Sequence, residues 1–390
     1  MTDSLSSLRT SGQDCPLCRA PALARVLRVT GVPAHVGVLW NDQRSAAACP
    51  RGDIDLAYCL ACGYMVNVAF DTLQVAYEEG YDNALDFSPV FQDYATALAR
   101  ALIERYDLRG KHVVEIGCGR GEFLRLLHAL GDNHCVGFDP SAPDGDGGVT
   151  LVRDHYTEAH RDRPADLIVC RQVFEHVDAP REFLAGLRRT IGDRATPVFF
   201  EVPNVRNIVR ELSIWDIIYE HCSYFGVESL VRAFAEEGFH IEATELLYED
   251  QFLGLHARPS GGAVVKGSDV SELTALVGSF AKAFDGRIRG WNRRLLDMGG
   301  RGDTAVVWGA GARGTSFVNM LDAADHIRYL VDINPRKHGK YVPGTGQEIV
   351  APERLREIRP DLVIVMNPVY LEEIRGSVRE LGIDAEIQRA

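Results

Sequence analysis

The sequence predicts an α/β chain built on a central doubly wound sheet, with a small cysteine-bearing module ahead of it and a second, smaller α/β unit behind. Three observations carry this. Two Cys-x-x-Cys pairs fall early in the chain, at Cys15/Cys18 and Cys59/Cys62. From residue 110 onward, short β-branched runs alternate with stretches of helical periodicity, the pattern of parallel strands joined by crossover helices. A glycine-rich turn follows the first of these runs, and another follows a strand that begins near residue 303. At 390 residues the chain is long enough for two or three cores. The boundaries are placed at 1–75 for the cysteine module, 76–260 for the central unit, 261–300 for a linking helix and 301–390 for the last unit.

Composition narrows the function. With 46% apolar and 25% charged residues the chain is an ordinary globular one. No apolar run approaches the roughly 20 residues that cross a bilayer, so no membrane partner is expected. Met1-Thr-Asp-Ser-Leu-Ser-Ser-Leu-Arg-Thr10 has no basic region followed by an apolar one, so a cytoplasmic protein is expected. A net charge of -13 disfavours nucleic acid, whose phosphates need a basic surface. The expected assembly is a monomer or homodimer acting on a small molecule.

In the cysteine module each pair, Cys15-Pro-Leu-Cys18 and Cys59-Leu-Ala-Cys62, can present two thiolates from one tight turn. Two such turns complete a tetrahedral shell suited to Zn²⁺, and four protein ligands make the ion structural. Gly63 supports the second turn. The competing reading is two reduced pairs or a redox Cys-x-x-Cys, which more naturally opens a helix after a strand.

In the central unit His112-Val-Val-Glu-Ile116 is the first strand, and Phe123, Leu127 and Leu130 mark a helix over Glu122 to Leu130. Cys135 to Asp139, Asp166 to Cys170 and Pro197 to Val202 supply further strands, and Gln251 to Ala257 the last. Gly117, Gly119 and Gly121 let a ligand approach the backbone, and Asp139 is placed to accept from ribose hydroxyls. NAD would fit as well as S-adenosylmethionine on this evidence. Two details favour the latter: Glu115 would repel a pyrophosphate but suits the methionine half of a sulfonium, and the spacing is Gly-x-Gly-x-Gly. Val114 to Gly121, Asp139 and Arg171-Gln-Val-Phe-Glu-His176 resemble the motifs of class I methyltransferases. The resemblance implies that Gln172, Glu175 and His176 lie near the transferring methyl group, whereas a helix-start histidine paired with Glu175 or Asp178 is the plain alternative for His176.

Trp215-Asp-Ile-Ile-Tyr-Glu-His-Cys-Ser-Tyr-Phe225 is unusually rich in aromatic and titratable groups. Tyr219, Glu220, His221 and Tyr224 together offer a base, a carboxylate and two phenols, which proton abstraction beside a carbonyl requires. An amphipathic segment packing its aromatics into a core explains the same residues equally well.

Tyr219-Glu-His-Cys-Ser-Tyr-Phe225 is similar to a segment of the three-domain sugar C-methyltransferases of deoxysugar biosynthesis, and the order of parts matches over nearly the whole length. That resemblance implies a zinc module, a class I methyltransferase core and a C-terminal Rossmann-like domain. It also implies a nucleotide-linked 4-keto sugar as acceptor, with His221 as the base that forms an enolate, Glu220 assisting it, and Tyr219 and His176 contacting acceptor or enolate. Tyr77 and Tyr81 match the family's segment that closes over the cofactor; simple packing between modules is the competing reading.

A helix over roughly 270 to 298 leads to Asp303-Thr-Ala-Val-Val-Trp-Gly-Ala-Gly-Ala-Arg-Gly314, a strand followed by Gly-x-Gly-x-x-Gly, with Tyr329-Leu-Val-Asp332 as the next strand. By itself this is a dinucleotide fingerprint, and an NAD- or nucleotide-sugar-binding protein is a competitor. Only about 90 residues remain, few for cofactor, substrate and hydride chemistry together. In the resembling family this domain holds the nucleotide-sugar diphosphate, which implies substrate contacts from Gly309, Gly311 and Arg313. Met366-Asn-Pro-Val-Tyr370 stands where that family commonly has a Trp-Asn pair, which adds Asn367. An O- or N-methyltransferase of another small metabolite on the same scaffold is the nearer alternative.

Overall fold

The structure, a computed structural model, describes residues 9–10, 12–75, 86–143, 148–261 and 269–390. The first strands, β1 (Arg9–Thr10), β2 (Leu23–Pro33), β3 (Arg51–Cys59) and β4 (Met65–Asn67), form an antiparallel sheet. Its register does the work of the cysteine module: Leu23 pairs with Cys59 at the end of β3, which brings the second cysteine pair beside the first. Gly63, at φ 75°, closes the turn after Cys62 in a conformation that favours glycine.

The central sheet takes β5 (His112–Ile116), β6 (His134–Phe138), β7 (Val149–Val152), β8 (Leu167–Arg171) and β9 (Val198–Pro203), all parallel. Then β10 (Ser223–Tyr224) leaves the domain and pairs with β4, so the first sheet has a fifth strand from far along the chain. A module ending at residue 75 misses this strand. Of the long strands β11 (Phe239–Leu247) and β12 (Phe252–Pro259), β12 lies antiparallel to β9 and β11 pairs antiparallel with β12, giving the order β11-β12-β9-β8-β5-β6-β7. The strand read as last, Gln251 to Ala257, is β12, the last of this sheet in chain order, and β11 forms the edge outside it. The chain runs one way from β5 to β7 and the other from β8 onward, so the carboxyl ends of β5 and β8 flank the point where a ligand crevice opens.

The helix Ser271–Arg301 buries Leu273, Val277, Phe280, Phe284, Trp291, Leu295 and Met298 along one face. It leads into β13 (Ala305–Trp308), β14 (Ile327–Val331), β15 (Glu348–Val350), β16 (Leu362–Val365) and β17 (Glu386–Arg389), an all-parallel sheet ordered β15-β14-β13-β16-β17. One apolar cluster joins Ile54, Leu56 and Met65 of the first sheet, Phe280 and Leu295 of the helix, and Val307 and Ile364 of the last sheet. The first sheet is thus packed into the C-terminal domain as well as the central one. Among the described residues no helix is long and apolar enough to cross a membrane.

Candidate functional site

One continuous cleft of about 1880 Å³ runs between the central and C-terminal sheets. Glu115, Gly117, Gly119, Asp139, Gln172, His176 and His221 line it from one side, and Gly309, Gly311, Arg313 and Asn367 from the other. Tyr77 and Tyr81 lie outside the described residues.

At the first glycine turn, Gly117, Gly119 and Gly121 all have left-handed φ (68°, 53° and 80°). A Cβ on Gly117 would stand 2.1 Å from Val173 Cγ2, so only glycine lets the loop lie against β8's exit. Asp139 accepts from Gly119 N–H at 3.0 Å and from the Ser141 N–H and hydroxyl at 2.8 and 2.6 Å, which fixes the loop and the acid together. The helix Glu122–Gly131 starts at this turn and presents its amides there. Glu115 is 4% exposed, and among the described residues its Oε2 has no partner. Burial pushes its carboxyl up to about 8 despite the opposing Arg171 guanidinium.

Behind Glu115 lies a network that the sequence reading missed. The Arg171 guanidinium sits 4.1 Å from the centre of the Phe123 ring and donates to Glu201 at 3.2 Å. Tyr94 donates to the other oxygen of Glu201, and Gln172 Nε2 donates at 2.9 Å to the oxygen that Arg171 holds. Gln172 has φ 55°, a strained position for a side chain of its size, and the Glu201 contacts hold it there. The one sequence signal was a carboxylate inside the apolar run Pro197-Val-Phe-Phe-Glu-Val202.

Further along the cleft the His176 and His221 rings meet edge to face, with centroids 4.9 Å apart. Burial pushes both imidazoles down to about 3, for His176 with help from His221, so both are neutral near pH 7. Among the described residues His221 Nδ1, a buried atom, has no hydrogen-bond partner.

Three expected site residues are placed elsewhere. Glu220 is wholly buried, and its oxygens accept from His35 at 3.0 Å and from the Val36 N–H at 3.2 Å, so it does not hold His221. Tyr219 packs on Phe70 and Gly52, and its hydroxyl accepts from the Asp71 N–H at 2.9 Å. Tyr224 is buried, with its hydroxyl on the backbone of Ile218. For these two phenols the core-packing reading is the one the structure supports, because β10 carries the segment into the first sheet.

At the second glycine turn Gly314 is required for closeness: a Cβ there would meet the Gly309 oxygen at 1.9 Å. Asp332 accepts from the Ala310 N–H at 2.9 Å and pairs with the buried Lys337 at 3.3 Å. The acid that would take a dinucleotide's ribose is thus neutralised internally, which removes the basis for an NAD site here. Arg313 reaches the cleft, yet its Nε donates to Asp216 at 2.5 Å and a second nitrogen to Gln251 at 3.0 Å, so the expected phosphate contact competes with an existing pair. Asn367 exchanges two hydrogen bonds with Gln251 at 3.0 and 3.1 Å.

The four cysteines converge: Cys15 and Cys62 sulfurs are 3.8 Å apart, Cys18 and Cys59 sulfurs 3.6 Å. Sulfurs at about 2.3 Å from a tetrahedral Zn²⁺ stand roughly 3.8 Å from one another, so the residues present fit the ion.

A parallel sheet with a Glu-x-Gly-x-Gly-x-Gly turn, an acid after the next strand and neutral imidazoles in the same cleft define an S-adenosylmethionine-dependent methyltransferase. Residues 89–244 match a methyltransferase domain, and residues 271–383 match a C-methyltransferase C-terminal domain. The chain is 25% identical over 394 residues to the C-methyltransferase NovU of Streptomyces niveus, covering 94% of this chain and 92% of that one. The chain thus carries a methyltransferase domain followed by a C-methyltransferase C-terminal domain, and these matches support an S-adenosylmethionine-dependent C-methyltransferase. Solved structures resemble part of it. The pyocyanin biosynthetic protein PhzM has 16% identity and a TM-score of 0.35, over 43% of this chain and 55% of that one. Magnesium protoporphyrin IX methyltransferase of Synechocystis PCC 6803, with bound SAH, has 17% identity and a TM-score of 0.34, over 44% of this chain and 84% of that one.

Proposed function

We propose that the chain methylates a carbon next to the ketone of a nucleotide-linked sugar, with His221 as the base that forms the enolate. The observation that carries this is the His221–His176 pair, two imidazoles kept neutral by burial in the cleft between the two glycine turns. S-adenosylmethionine, when bound, supplies an electrophilic methyl group. Glu115, Gly117, Gly119, Asp139 and Gln172 would hold it, Glu115 facing its positive charge. A carbon acceptor needs a base because its C–H proton must leave before the carbon becomes nucleophilic, and His221 is the unprotonated group in place to take it. His176 would hold the enolate oxygen. The second glycine turn, with Arg336 and Lys340 on the same cleft wall, supports binding of a nucleotide diphosphate. Zn²⁺ on Cys15, Cys18, Cys59 and Cys62 would be structural.

The test uses thymidine diphosphate 4-keto-6-deoxyglucose as a probe acceptor with ¹³C-methyl-labelled S-adenosylmethionine. Product NMR is expected to show the methyl on carbon next to the carbonyl; a methyl on oxygen or nitrogen would favour heteroatom transfer. His221→Ala is expected to keep cofactor affinity and lose about 10²- to 10⁴-fold in turnover.

A further inference from the structure

We propose that Glu175, not Glu220, is the carboxylate that serves His221, positioning its imidazole and balancing its charge when it takes a proton. The inference rests on the enolate reading above.

Glu175 lies in the single turn Phe174–His176 that follows β8. The turn is clamped from behind, since Phe174 stacks on Phe225 with centroids 4.7 Å apart, and Cys222 Sγ reaches the Glu175 carbonyl at 3.6 Å. The residue is 2% exposed, and among the described residues its Oε2 has no partner. A buried carboxyl oxygen without a donor is costly, and so is a buried ring nitrogen without one; His221 Nδ1 is such a nitrogen. A ring nitrogen of His221 and a carboxyl oxygen of Glu175 lie within 4.8 Å of each other, a gap that a small rotamer adjustment or one bridging water closes.

The other groups around the pair are engaged. His176 donates to the Glu220 carbonyl, and the Glu220 carboxylate takes His35 and Val36. Arg171 and Glu201 hold each other. Cys170 and Cys222 face Glu175 as thiols that burial raises far above neutrality, and Asp178 lies beyond Cys222. Among the described residues Glu175 is the carboxylate with an open oxygen beside the base.

In the step itself the acceptor's C–H bond breaks, its electron pair enters the enolate and its proton goes to His221. An imidazolium alone at this buried position is unfavourable, as the low His221 value shows. With the Glu175 carboxylate beside it the pair is neutral overall, and the proton leaves to solvent after the enolate has been consumed. The working state therefore needs Glu175 ionised. Burial pushes that carboxyl up to about 8, so exchange at the acceptor carbon rises with pH up to about 8 and levels off above it.

The test uses the full-length zinc-loaded protein. In samples with ¹³C-labelled histidine, assigned by comparison with His221→Gln, the His221 signal is expected to report a titration near pH 8 that disappears in Glu175→Gln and persists with a moved midpoint in Glu175→Asp. Deuterium wash-in from solvent to the keto-sugar probe, without S-adenosylmethionine, is expected to fall about 100-fold in Glu175→Gln while calorimetry shows unchanged cofactor affinity, which certifies the fold. A Glu175→Gln protein with wild-type His221 titration and wild-type wash-in overturns the proposal. So does a second stoichiometric divalent ion held by Glu175, His176 and His221, since a metal-bound imidazole cannot take a proton. Wild-type protein that shows the coupled titration but no wash-in removes the enolate reading and keeps the pairing, so the two failures are distinct.

Discussion

The Glu220 carboxylate accepts a hydrogen bond from His35 Nδ1 at 3.0 Å, across 185 residues of chain, and not from the adjacent His221. His35 follows β2, so the cysteine-bearing module reaches the residue next to His221. Because His176 donates to the Glu220 backbone carbonyl, His176 is placed partly through a residue that follows β2.

Replacing His35 tests this link. His35→Ala leaves a fully buried carboxylate oxygen without a donor, which costs about 1 to 3 kcal/mol. Thermal unfolding is expected to shift to lower temperature, and turnover to fall more than cofactor affinity. An unchanged melting midpoint would mean that Glu220 needs no donor there.

The first glycine turn gives a double-mutant test. Gly117→Ala puts a Cβ against Val173 Cγ2 and also strains φ 68°. S-adenosylmethionine affinity is expected to drop at least tenfold. Val173→Ala in the same chain removes the steric part but not the backbone strain, so affinity recovers only in part, and the coupling between the two sites is read directly.

The parts of this site that were legible in the sequence are local. Glycines at fixed spacing after a strand, an acid after the next strand and two Cys-x-x-Cys turns are each determined within a few residues, and the structure has all of them where the pattern put them. Which partner each side chain meets is decided by distant segments. Tyr219 and Tyr224 read equally as pocket or core until β10 is seen pairing with β4, and Glu220 looked like His221's helper until His35 arrived from another sheet. The Glu201 network was concealed because its members, Tyr94, Arg171 and Gln172, come from separate elements that only the sheet order brings together. Asp332 had the spacing of a ribose ligand, and only packing shows Lys337 occupying it.

The cysteine site predicts a metal-dependent fold. Titrating the four thiols with an organomercurial is expected to release one equivalent of Zn²⁺, with a matching fall in melting temperature; structural zinc sites are commonly worth on the order of 10 kcal/mol. Cys18→Ser, at the half-buried corner of the cluster, is expected to weaken retention of the ion and lower the midpoint. Protein purified without added metal and found free of zinc would overturn the assignment.

Glu115 predicts how cofactor affinity depends on pH. Its carboxyl is held near 8 in the folded chain against about 4.3 when unfolded, so the folded state keeps a proton that the unfolded state loses. With a raised folded value, this group's contribution to stability is present below about 4.3 and declines as pH rises toward about 8. A positively charged ligand beside it favours the ionised form, so binding at pH 7 drives a proton off. Calorimetry in buffers of different ionisation enthalpy is expected to find up to one proton released per cofactor, with affinity improving as pH rises to about 8. Glu115→Gln abolishes the release and flattens the profile while leaving the zinc site and the melting of the apo protein at low pH unchanged. Equal proton release in the variant would move the linkage to another group and remove Glu115 from contact with the ligand's charge.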